Sequence, residues 1–112
     1  MGKVAVQLVF SPNSVLSTPA DLGGAVIAGL MMPMEWTPAH LSVLASPNGV
    51  EFSDLYDSNG QPVMLPVGVP GVAVPVPPEL ATPMPCYIRL RSGTRSLPVP
   101  QQDERVVVLM LC

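Results

Sequence analysis

The 112 residues of this chain are enough for one domain with a genuine hydrophobic core and too few to suggest a second. Only 12% are charged against 48% hydrophobic, which excludes a disordered chain, and a net charge of −3 excludes the basic field that a nucleic-acid binder needs. Exposed monomers carry about a quarter charged residues, so the shortage here implies that partners cover much of the surface.

In chain order, Val4 to Phe10 is apolar and rich in β-branched residues and predicts a first strand. The opening ten residues hold one basic residue and no longer apolar run with a cleavage site, so no signal peptide is expected. A second strand is predicted over Ala25 to Met32, opened by Gly23-Gly24 and closed by Pro33. The uncharged stretch around it, Leu22 to Met34, is shorter than the ~20 residues that cross a bilayer, so no membrane partner is expected. Leu41 to Ala45 reads as a third strand with Leu41, Val43 and Ala45 on one face. Two hairpin signals follow, Ser46-Pro-Asn-Gly49 and Asp57-Ser-Asn-Gly60, because Asn-Gly tolerates positive φ at both positions. Between them Val50 to Tyr56 is a short strand. Val63 to Leu65 and Val67 to Val76 are further strands, cut by prolines that cannot donate to a ladder. A single helical turn is the most that Glu79 to Thr82 offers.

The tail is patterned more clearly. Cys86 to Arg91 alternates, with Cys86, Ile88 and Leu90 inward and Tyr87, Arg89 and Arg91 outward. Val106 to Leu111 is apolar on both faces: Val106, Val108 and Met110 share one, Val107, Leu109 and Leu111 the other. About eight short strands with regular turn signals predict an all-β, antiparallel β-sandwich, an eight-stranded jelly roll, formed by residues 1–112 as a single domain.

Few residues point to chemistry. His40 is the sole histidine and has no nucleophile motif near it, so it reads as a residue at the start of a strand and no enzyme is expected. Cys86 and Cys112 make neither a metal cluster nor a disulfide framework; one bridge or two thiols both remain open. Glu51, Asp54, Asp57 and Asn59 are oxygen ligands without the spacing of a calcium loop, and a hairpin turn accounts for Asp57 to Gly60. No cofactor or metal is expected. Trp36, in a loop, reads as a plug at one end of the core in preference to a binding residue. Arg89, Arg91 and Arg95 hold three of the five basic residues and form a candidate row for docking on acidic partner groups. Val107, Leu109 and Leu111 are the candidate self-association face of the last strand, together with the apolar 62–86 segment, in a dimer or trimer.

The segments Met32-Pro-Met-Glu-Trp-Thr-Pro-Ala-His-Leu41, Ser46-Pro-Asn-Gly-Val-Glu-Phe-Ser-Asp-Leu-Tyr-Asp57 and Tyr87-Ile-Arg-Leu-Arg-Ser-Gly-Thr94, with Pro98, Val99, Gln101 and the apolar last strand, carry a resemblance. They resemble small structural proteins of tailed bacteriophages, of the head cement or decoration type. The order of Trp36-Thr-Pro-Ala-His-Leu41 before the Ser46 hairpin also looks like discoidin-type jelly rolls. The resemblance spans residues 30–112, and the proline-rich run from Pro62 to Pro85 departs from it. It implies a virion protein on the capsid surface, assembled in the host cytoplasm, that binds the major capsid protein and stabilises the head lattice. The alternative is a carbohydrate-binding module on the virion surface, with Trp36 and Tyr56 stacking on sugar.

Overall fold

The computed structural model describes residues 4–67, 70–76 and 86–112. Every regular element among them is a strand: β1 (Val4–Phe10), β2 (Ala20–Asp21), β3 (Ile27–Met31), β4 (Leu41–Ser46), β5 (Ser53–Asp54), β6 (Met64–Leu65), β7 (Ala73–Val74), β8 (Tyr87–Ser92) and β9 (Arg105–Leu111). They form two antiparallel sheets, one ordered β1-β9-β3-β7 and the other β2-β8-β4-β5, with β6 on the same edge of β4 as β5. The expected all-β sandwich is therefore the fold. Pairing is nested from the ends of the chain inwards: β1 with β9, β2 with β8, β3 with β7, and β4 with β5 and β6. One long antiparallel ribbon has been rolled so that successive strands mostly alternate between the sheets. No helix among the described residues is long and apolar enough to cross a membrane.

The long strands fall where the chain alternates or runs apolar without Pro, and the short ones mostly where Pro or Gly lies close by. Val50 to Tyr56 narrows to β5 because Asn48 and Gly49 keep the chain in a turn. The Asn48 Oδ1 accepts from the Val50 and Glu51 amides at 2.9 and 3.2 Å, and Gly49 sits at φ 79°. The stretch Val67 to Val76 reduces to β7, bracketed by Pro70 and Pro75. β2 has no counterpart among the predicted strands. The turn expected over Glu79 to Thr82 lies outside the described residues.

The core fills the space between the sheets. Leu8, Phe10, Ile27, Leu30, Val74, Val107, Leu109 and Leu111 enter it from the first sheet, and Ala20, Leu41, Val43, Leu65, Ile88 and Leu90 from the second. In β3 both Ile27 and Leu30 point inward, which strict alternation forbids. A bulge between Ile27 and Gly29 resolves this: Ile27 faces Leu111, while Gly29 faces Met110 and Leu30 faces Leu109. Val107, Leu109 and Leu111 were expected to face a partner, and the structure corrects this. They are 0%, 1% and 5% exposed, packed in the core because they oppose the inward residues of β1 and β3. The outward face of β9 is the other one, Val106, Val108 and Met110.

One end of the sandwich is closed by Trp36. Its ring meets Phe10 edge-on at 5.4 Å, and its indole N–H donates to the Ala39 carbonyl at 3.1 Å. Beside it Gln101 is fully buried yet satisfied. Its Oε1 accepts from the Thr37 amide at 2.9 Å, and its Nε2 donates to the Thr37 carbonyl at 3.0 Å and the Ser92 hydroxyl at 2.8 Å. A side-chain amide thus pairs with a backbone amide as a strand would, fixing the Trp36 loop to the end of β8.

Candidate functional site

The polar face of the molecule is the outside of the second sheet. Odd residues of β8 point outward there, bringing Arg89 and Arg91 over β4, while β5 carries Asp54 opposite Leu44. Arg91 donates from Nη2 to Asp54 Oδ1 at 2.6 Å and from Nε to the Ser42 hydroxyl at 3.0 Å, and Ser42 in turn donates to the Gly93 carbonyl at 2.8 Å. Their side chains are only 12% and 14% exposed, so the ion pair is a fixed part of the sheet surface. Arg95 lies 3.6 Å from the other Asp54 oxygen with its side chain 81% exposed. Arg89 donates to the Ser17 carbonyl at 2.7 Å and lies 5.6 Å from the centre of the Phe52 ring. The structure does bring the three arginines to one face. Two of them are half-buried against intramolecular partners, however, so Arg95 alone projects largely into solvent, at the edge of the same Asp54 carboxylate.

Around the pair is an open hollow of about 480 Å³ lined by Asp54, Tyr56, Met64, Arg91, Arg95 and Ser96, among others. A second hollow of about 430 Å³ adjoins it, sharing Asp54, Tyr56 and Arg95. One wall is the loop after β8. Gly93 has φ 90°, and a Cβ there would collide with the backbone of Leu97, Pro98 and Val99, so only glycine permits the turn. Beyond it the Thr94 amide donates to the Leu97 carbonyl at 3.1 Å and the Leu97 amide to Thr94 Oγ1 at 3.0 Å. This tight loop holds residues 94–96 over the Arg91–Asp54 pair. The opposite wall is the hairpin around Asp57, whose carboxylate accepts from the Asn59 and Gln61 amides at 2.9 and 3.0 Å. Tyr56 and Pro62 bridge the base of that hairpin, and Tyr56 is 51% exposed.

The other sequence candidates lie apart from this hollow. His40, just before β4, accepts at Nδ1 from the Val67 amide at 2.9 Å, which joins two loops. Cys86 and Cys112 are free thiols, and burial, with the Asp21 carboxylate adding to it, pushes the Cys86 thiol pKa up. Asp57 and Asn59 are engaged in their turn, and among the described residues no three His, Cys, Asp or Glu side chains gather closely enough to hold a metal ion.

The outside of the first sheet is its opposite in character. Three cross-strand rows face outward: Ala5, Met110 and Gly29; Gln7, Val108, Met31 and Ala73; Val9 and Val106. None is charged. Met110 lies across Gly29, where a Cβ would stand 3.1 Å from its methyl carbon, and Gln7 is the one exposed polar side chain in the rows. No family model, curated protein or solved structure matches the chain.

Proposed function

We propose that this protein is a cement or decoration protein of a bacteriophage head, docking on the major capsid protein through the outer face of the β1-β9-β3-β7 sheet. The observation that carries the reading is that face: three uncharged rows, crossing three, four and two strands in turn, in a chain whose described charges are placed elsewhere. Its extent, at most roughly 20 Å by 20 Å from strand spacing and rise, is that of the largest apolar patch on a typical monomer, which is often functional. The nested pairing supports the expected jelly-roll connectivity, an architecture used by viral capsid and lectin domains. A domain that binds only the assembled lattice stabilises it by mass action.

Val108→Glu tests this. It places a charge at the centre of the face without touching the core, and should abolish occupancy on particles while leaving the β-type circular dichroism spectrum unchanged. Wild-type occupancy should persist at high salt, because apolar contact is not screened. Full occupancy by the Val108→Glu chain, or loss of wild-type binding in salt, would overturn the reading.

A carbohydrate-binding module is the second reading. Burial of Trp36 removes it from any sugar platform, whereas Tyr56 stands exposed beside the Asp54–Arg91 hollow and keeps the reading in play.

A further inference from the structure

The hollow on the second sheet has a composition that docking through the first sheet leaves unused. Its floor is a carboxylate locked in place by a guanidinium, Asp54 by Arg91 at 2.6 Å, with Arg91 itself anchored through Ser42 to the Gly93 carbonyl. A fixed acceptor beside fixed donors suits a ligand whose groups both donate and accept, and hydroxyls are the groups that do so. Hydroxyls of Thr94, Ser96 and Tyr56 line the rim, and the Tyr56 ring, Pro62 and Met64 supply an apolar wall. At about 480 Å³ the hollow falls within the range of small-molecule sites.

We propose that this hollow binds a neutral pyranose saccharide. Asp54 accepts from, and Arg91 donates to, adjacent ring hydroxyls, while the C–H face of the sugar rests on Tyr56. An anion would meet Asp54 at the floor but also Arg91 and the exposed Arg95, a lining with one net positive charge, so sulfate and glucuronate are the competitors that the test must separate. An apolar ligand is disfavoured because it would strip water from the ion pair without replacing its hydrogen bonds. The two sheets face opposite ways, so a domain docked by its first sheet holds this hollow outward. The inference does not depend on the capsid reading; it rests on and deepens the carbohydrate reading, naming its site and the class of sugar.

The test uses the isolated full-length chain, so its result is independent of any particle. Methyl glycosides of glucose, galactose, mannose and N-acetylglucosamine are titrated into labelled protein and followed by amide chemical shifts, with glucuronate and sulfate alongside. At least one neutral glycoside should shift residues 54–56 and 91–96 selectively, with a dissociation constant of about millimolar, as an open site implies. Tyr56→Ala should weaken it about fivefold to tenfold, the loss of one aromatic contact. Asp54→Asn should weaken it further; if that variant does not fold, Tyr56→Ala carries the test, since Tyr56 is half exposed. Three results would overturn the proposal: no neutral glycoside binds, Tyr56→Ala binds as well as wild type, or sulfate or glucuronate binds more tightly than every neutral sugar.

Discussion

At the scale of single residues, side chains that look available in the sequence are largely spoken for in the fold. Trp36 is one. Its ring is packed against Phe10 and its N–H is satisfied, so Trp36→Ala acts on folding. The loss should be ~3–5 kcal/mol, a large share of the ~5–15 kcal/mol that holds small domains, and a drop in thermal midpoint is the readout. A variant that melts like wild type would return Trp36 to the surface. Arg89 and Arg91 are a second case. Reversing both to Glu sets a carboxylate against Asp54 and removes the cation above Phe52. The double variant should therefore lose about 2–4 kcal/mol, somewhat less than breaking a fully buried pair, since these side chains retain some exposure to water. Arg95→Glu, with an 81% exposed side chain, should leave the denaturation midpoint unchanged. Equal midpoints for all three chains in a urea titration would show that the Arg91–Asp54 contact contributes nothing.

At the scale of elements, legibility followed the length of the apolar runs. Val4–Phe10, Leu41–Ser46, Tyr87–Ser92 and Arg105–Leu111 lie within a residue or so of their predicted bounds, because alternation or an unbroken apolar run fixes them locally. Asn48-Gly49 and Asp57 to Gly60 both turn, but positive φ falls on Gly49 and Gly60 and not on Asn48 or Asn59; side-chain oxygens of Asn48 and Asp57 accepting backbone amides hold the turns instead. β2 was not legible, since Ala20-Asp21 pairs only because β8 is brought alongside it, a contact 68 residues distant at Ala20↔Ile88. Nor was the bulge in β3. A bulge adds one residue and inverts the faces beyond it, and Ala28-Gly29 carries no local mark of it. The same blindness affected β9. With both faces apolar, period-two patterning cannot say which one is inward; only the register against Leu8 and Phe10 decides. The hollow escaped for a related reason. Asp54 and Arg91 are 37 residues apart and meet only after β4 places β5 and β8 on its two sides.

At the scale of the whole molecule, the balance of area decides how the chain behaves alone. The sequence treats both faces of β9 as surface to be covered, which favours a firm dimer or trimer. In the fold only Val106, Val108 and Met110 face outward, and their sheet face offers roughly 400 Å². A standard interface takes ~800 Å² from each partner, so two copies joined by this face alone bury about half of what a stable pair needs. Association costs are not halved with the area, because the lost translational and rotational freedom is the same. Self-association through this face should therefore be weak; under the capsid proposal, a lattice that engaged each copy at more than one point would supply the remainder. Sedimentation velocity on the purified chain should show monomer at low micromolar concentration and reversible dimer only towards hundreds of micromolar. Val108→Glu should remove even that, because two carboxylates would face one another across the centre of the pair. A tight dimer at low micromolar concentration that survives Val108→Glu would show that another surface joins the copies, and would take the outer face of the first sheet out of self-association altogether.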